Sequence, residues 1–139
     1  MICLDTNAVI AAINLRSPGV RPRLERALAV GMPVGIPTIV LYELRTGIRK
    51  STRLEANTAN LAAFLALDVT PWSFDPGDAE EAGDIRAALE RTGTPLGPHD
   101  VLIAAQARRR SAILITRNQR EFARVPGLRT EDWALPEEA

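Results

Sequence analysis

Residues 1–7 read MICLDTN, and the run before Asp5 decides how the rest of the chain is taken. ICL at 2–4 is continuously apolar rather than alternating, the pattern of a strand buried on both faces in a parallel sheet. VGI at 34–36 and ILI at 113–115 repeat that pattern. VTPWS at 69–73 reads as a further strand, with Pro71 pointing to an irregular or edge position. LRT at 128–130 reads as a last short strand, and the opening run as the central one. Asp5 then stands at a strand end, open to two readings: it caps the helix that follows, or it holds a metal.

Helical stretches fill the intervals. TNAVIAAIN spans 6–14. RPRLERALAV spans 21–30, with a proline near its start and Gly31 just past its end. TIVLYELRTGIRK covers 38–50. In 52–67, Leu54, Thr58, Leu61 and Leu65 share one face. DAEEAGDIRAALERTG at 78–93 has an acidic first turn and Arg91 in its last, which suits the helix dipole. HDVLIAAQARRR at 99–110 is apolar early and basic late, and REFARV at 120–125 forms a short turn. Alternating strand and helix predict an α/β fold with helices on both faces of a mostly parallel sheet. The 139 residues suit one domain, placed at 1–134, with 135–139 as a short frayed tail.

Lys+Arg equals Asp+Glu, 17 against 17, so nucleic-acid binding would need an uneven distribution of charge. Cys3 is the one cysteine; it has no internal disulfide partner and packs as a small hydrophobe. The first residues lack the basic-then-apolar pattern of a signal peptide, and no apolar run reaches the ~20 residues of a membrane span. The expected setting is reducing, soluble and cytoplasmic.

In open α/β sheets the working site lies beyond the carboxyl ends of the strands. Asp5 ends the first strand there, and Thr116, Arg117 and Asn118 follow ILI. Glu43, in IVLYEL, and Asp100, in GPHDVLIAA, are acids in apolar surroundings near two helix starts. Acids are rarely buried unless paired or metal-bound. Three that converge cannot all stay ionised without an offsetting charge. A carboxylate set without His or Cys suits Mg²⁺ or Mn²⁺ rather than zinc, and such sites serve phosphoryl transfer.

LDTN, IPTIVLYELRTGI, PLGPHDVLIAAQA and ITRNQREFARVPGLRTEDW, in that order, resemble the PIN-domain ribonucleases, and most closely the VapC toxins of bacterial toxin–antitoxin pairs. The resemblance runs from the first residues to Trp133. It implies a three-layer α/β/α sandwich and metal-dependent endonucleolytic cleavage of structured RNA such as tRNA or rRNA. It also implies a homodimer and a VapB-like antitoxin that blocks the site. The family's three acids fall on Asp5, Glu43 and Asp100. Asp5 and Asp100 are then the main metal ligands, and Glu43 a ligand or water-orienting base. The family's frequent fourth acid falls on Asn118, which brings no charge but can support the site through its carbonyl; Glu121 is the substitute if the loop turns inward. Thr6 and Asn7 secure the turn that aims Asp5, and Arg117 and Arg120 supply a positive rim.

Each residue also has a plainer reading. Glu43 could pair with Arg45 or Lys50, and Asp100 could serve the helix dipole. His99 reads as a partly exposed residue at a helix start, and Trp72 and Trp133 as packing residues. The runs at Arg45, Arg49, Lys50 and Arg53 and at Arg108–Arg110 read as solvated faces. Two rival functions remain. One is a phosphatase-like hydrolase with Asp5 as nucleophile, disfavoured because Asn7 stands where such families place a second acid. The other is a degenerate member that binds RNA or its partner without cutting.

Overall fold

The computed structural model describes residues 1–15 and 17–135. ICL forms β1 (Ile2–Leu4), flanked on both sides by parallel partners, β2 (Val34–Pro37) and β4 (Ile113–Ile115). Short outer strands, β3 (Thr70–Trp72) and β5 (Arg129–Glu131), complete a five-stranded sheet in the order β3-β2-β1-β4-β5. Every pairing in it is parallel. The continuous apolar runs are buried apart from a partly exposed Ile113, and the Pro71 strand is an exposed edge, as its proline predicts. The last strand sits one residue later than LRT, because Arg129, Thr130 and Glu131 are the residues that register against β4.

Seven helices among the described residues connect the strands: α1 (Thr6–Asn14), α2 (Val20–Ala29), α3 (Thr38–Arg49), α4 (Leu54–Leu65), α5 (Pro76–Arg91), α6 (Pro98–Arg109) and α7 (Gln119–Phe122). The chain steps from β1 to β2 to β3 in one direction, then returns past β1 to β4 and β5. Right-handed crossovers therefore place α1–α4 on one face and α5–α6 on the other. The packing agrees: α1 meets α2, α3 and α4, while α5 lies along α6. This is the three-layer α/β/α arrangement. Strand order reverses between β1 and β4, and that crevice is where ligands bind in folds of this kind.

Local chemistry sets the helix ends. Gly31 takes φ +74, where a side chain would strain the backbone, and its N–H closes α2 on the Leu28 carbonyl. α5 starts at Pro76, two residues earlier than the acidic turn suggests. Asp75 accepts from the Asp78 N–H, Asp78 accepts from the Asp75 N–H, and Pro76 occupies the first position. Within α4 the buried face is Leu61 and Phe64, while Leu54 and Thr58 are exposed. The expected Leu54–Thr58 stripe is thus shifted, since α4 packs only its later half into the core. Cys3 is wholly buried, and burial followed by the nearby Asp5 charge pushes its thiol well up. Trp133 packs in the core and Trp72 is half-buried, as packing residues would be.

The C-terminal region is docked at least as far as Leu135, whose carbonyl accepts from the Arg23 guanidinium at 2.9 Å. Of the tail expected at 135–139, residues 136–139 lie outside the described residues.

Candidate active site

Asp5 is delivered to the reversal point by β1 and is almost wholly buried. Its Oδ1 accepts the Ala8 N–H at 2.8 Å, so Asp5 itself caps α1. Capping uses one oxygen and leaves the other for the site. Thr6 and Asn7 do not cap α1, which corrects the expectation that they secure the turn. Asn7 is exposed, and Thr6 reaches across to another helix. The Thr116 hydroxyl, at the end of β4, also hydrogen-bonds the Asp5 side chain. Thr116 in turn accepts the Asn118 N–H at 3.0 Å.

Glu43 lies on the second turn of α3, half-buried. The Thr6 hydroxyl donates to its Oε1 at 2.7 Å, and His99 Nδ1 stands 3.6 Å from Oε2. These are the groups beside Glu43, rather than Arg45 or Lys50. Asp100 occupies the first turn of α6, with His99 before it.

The electrostatics bind these acids into one group. Burial pushes the Asp5 carboxyl up to about 6, against hydrogen bonds from Thr116 and Ala8 that lower it; the Asp100 and Glu43 charges push it further up. Asp100 is likewise raised, by burial first, then by Glu43 and Glu121, with His99 opposing. Glu121 is therefore, with Glu43, one of the two acids that act on Asp100. Asn118 is exposed beside this edge: its N–H bonds Thr116, and it lines a recess of about 440 Å³ with Asn7, Ile10 and Arg117. Among the described residues no three acidic, histidine or cysteine side chains stand close enough to grip one ion as placed. Glu43 in particular is turned toward Thr6.

Arg117 and Arg120 are exposed beside this edge, as a rim would be. The Arg108–Arg110 run is not a solvated face. Arg108 pairs with Glu81, Arg109 with Asp75 and Asp78, and Arg110 with Asp78. Arg110 also lies 4.9 Å over the Trp72 ring. Gln106, wholly buried, donates from Nε2 to Asp78 and to the Ser73 carbonyl at 3.1 Å each. Sequence reasoning missed this cluster, although the Asp75-Pro76 and Asp78 spacing is a capping-box signal.

The PIN domain family model matches residues 2–128. The chain belongs to the PIN domain family. Its relatives place it among the VapC proteins. The tRNA(fMet)-specific endonuclease VapC of Shigella flexneri is 43% identical over 132 residues, covering 94% of this chain and 96% of that one. The protein of the same description from Salmonella typhimurium is 40% identical over 131 residues, with 94% and 96% covered. The structure of VapBC2 from Rickettsia felis bound to a DNA fragment from its promoter superposes with a TM-score of 0.88. It is 34% identical and covers 96% of this chain and 99% of that one. Among the described residues no helix is long and apolar enough to cross a membrane.

Proposed function

We propose that this chain is the ribonuclease toxin of a toxin–antitoxin pair, cutting RNA with a divalent cation, and that initiator tRNA is the first substrate to try. The observation that carries the reading is that Asp5 and Asp100 are each held up by neighbouring acids at the point where strand order reverses, Asp5 by Asp100 and Glu43, and Asp100 by Glu43 and Glu121. Mutual repulsion of this kind calls for a cation. The donor set is carboxylate oxygen, which suits Mg²⁺ or Mn²⁺, so the residues fit the ion by chemistry and charge. The side chains would draw in to hold it.

Asp5 and Asp100 would be the principal ligands, with Glu43 a ligand or an acceptor of the attacking water's proton at Oε2. Bound Mg²⁺ supplies neutralisation of phosphate charge and activation of water. Thr116 and the Ala8 N–H fix the Asp5 carboxylate, and Thr6 fixes Glu43. Arg117 and Arg120 would meet the phosphates on either side of the cut. Glu121 takes up the role first assigned to Asn118, whose backbone N–H supports Thr116 instead. That arrangement favours a cutting enzyme over a degenerate binder.

The solved relatives described as VapBC complexes support an antitoxin partner for this chain. An apolar groove of about 270 Å³, walled by Ile10, Ile13, Leu44 and Leu61, opens beside Glu43. A segment seated there would cover the site. Cytoplasmic action and a homodimer complete the proposal.

The test is cleavage of an initiator tRNA transcript by purified protein. Mg²⁺ should support cutting, EDTA should abolish it, and excess Mg²⁺ should restore it. Asp5→Asn and Asp100→Asn should each lower the rate about a hundredfold to a thousandfold, the scale of losing a transition-state charge stabiliser. Cutting that survives EDTA or either substitution would overturn the mechanism.

A further inference from the structure

Among the described residues, Tyr42 is the one Phe, Trp or Tyr that stands exposed, at 59%. The others pack in the core or against it. A singly exposed apolar residue is ordinary, so what is informative is where this ring stands. Tyr42 precedes Glu43 on α3, and its ring meets the His99 imidazole edge to face, centroids 5.3 Å apart at 74°. His99 in turn precedes Asp100 and stands 3.6 Å from Glu43. The ring pair therefore borders the two acids directly.

Arg45 and Arg49 follow Tyr42 at three and seven residues, on the same exposed stripe of α3. Both line a wide groove of about 670 Å³ between α3 and α4. An exposed aromatic face continued by a line of arginines is the chemistry that holds single-stranded nucleic acid: rings for bases, guanidiniums for phosphates.

We propose that Tyr42, braced by His99, is a stacking platform for one unpaired base next to the cleaved bond, and that Arg45 and Arg49 hold the strand's phosphates beyond it. This rests on the ribonuclease reading and adds to it the direction in which the RNA leaves the acids. An α-helix places Tyr42 and Arg49 about 10 Å apart along its axis, a span of one or two nucleotides. His99 and Tyr42 are positioning residues here, and neither takes part in bond breaking.

The experiment uses the full chain and an initiator tRNA transcript whose cut has first been mapped. Tyr42→Ala should raise KM about tenfold with little change in kcat, the size of one lost base–aromatic stack. Tyr42→Phe should restore the wild-type KM, because it keeps the ring. Removing the base beside the cut, with an abasic nucleotide, should impose the same penalty on the wild type and erase the difference from Tyr42→Ala. In the Asp5→Asn background, 2-aminopurine at that position should be quenched on binding, and Tyr42→Ala should abolish the quench. Arg45→Ala with Arg49→Ala should flatten the salt dependence of binding.

An unchanged KM in Tyr42→Ala, a fall confined to kcat, or a penalty that persists on the abasic RNA would overturn the platform. So would intact RNA handling combined with weakened inhibition by the antitoxin, which would assign the ring to the protein partner. Wild-type protein that cuts no RNA under Mg²⁺ would instead overturn the ribonuclease reading itself, and the two failures are distinct.

Discussion

At the first turn of α6, Asp100 faces Glu43 and Glu121, and its carboxyl is raised by burial and by their charges. About 15 Å further along the same helix, Arg109 and Arg110 close on Asp78 together with Gln106 and the Asp75 N–H. Burial alone would raise the Asp78 carboxyl, but these partners outweigh it and hold it well below the usual range. One helix thus carries two acidic clusters of opposite character. The basic end is a finished structural joint between α5 and α6. The acidic end is left with charge to be neutralised by something the chain does not itself provide. Where a fold satisfies one buried acid fully and leaves another group repelling, the second is the better candidate for chemistry.

The largest way to sharpen this contrast is to break the finished end. Asp78→Ala leaves Arg110 without its two carboxylate bonds and Gln106 without one of its acceptors. Removing one partner of a buried, hydrogen-bonded ion pair costs about 3–5 kcal/mol. Urea unfolding of Asp78→Ala should show a loss of that order. Loss of less than about 1 kcal/mol would mean that the joint does not hold α5 to α6.

The same measurement on the other end should change sign. The Asp5 carboxyl is raised to about 6 in the folded chain, so the folded state keeps a proton that the unfolded state gives up. Stability from this source is present below about pH 4 and is lost as pH rises to about 6. The full loss is about 3 kcal/mol. Metal-free Asp5→Asn should therefore be more stable than wild type at pH 7.5, by up to that amount, while still capping Ala8. Mg²⁺ should stabilise the wild type and not the variant. A destabilised Asp5→Asn at pH 7.5 would show that Asp5 is structural, and that the two ends of α6 do not differ.

Asp78 works in the opposite window. Its folded value is depressed, so its contribution is present above about pH 4 and disappears as pH falls below it. Acid unfolding of the wild type should steepen below pH 4, and Asp78→Asn should flatten that limb. Metal-free wild type should thus be most stable near pH 4–5, between the two losses. An acid limb that is the same in Asp78→Asn would assign the acid sensitivity to other carboxylates.

Much of this was legible in the sequence, for reasons that also mark where legibility stops. ICL, VGI and ILI are strands because both faces are buried, and a continuous apolar run records that locally. Asp5, Glu43 and Asp100 stood out because acids in apolar surroundings are costly. The α5–α6 joint was hidden because its partners lie some thirty residues apart, Gln106 and Arg110 on one side and Asp78 on the other. Three consecutive arginines look the same whether solvated or paired. Thr6 looked like a capping residue because capping is local, whereas its bond to Glu43 spans two helices. The loop after ILI posed a finer problem, since three residues of unpatterned chain decide whether Asn118 or Glu121 faces the acids.

That choice supplies the smallest effect, and the most discriminating one. The resemblance to the VapC toxins sets Asn118 at the family's frequent fourth acid, and so favours it. The electrostatics favour Glu121, which acts on Asp100 from the first turn of α7. Asn118→Ala keeps the backbone N–H that supports Thr116, so its cleavage rate should stay within about twofold of wild type. Glu121→Gln keeps the shape and removes one charge, and should lower the rate about tenfold, the lower end for a group that supports metal ligands. The loss should shrink as Mg²⁺ is raised, because a missing carboxylate weakens ion binding before it affects bond breaking. A tenfold loss in Asn118→Ala with none in Glu121→Gln would return the fourth position to Asn118, with a carbonyl in place of a charge. The acidic end of α6 would then carry three carboxylates rather than four.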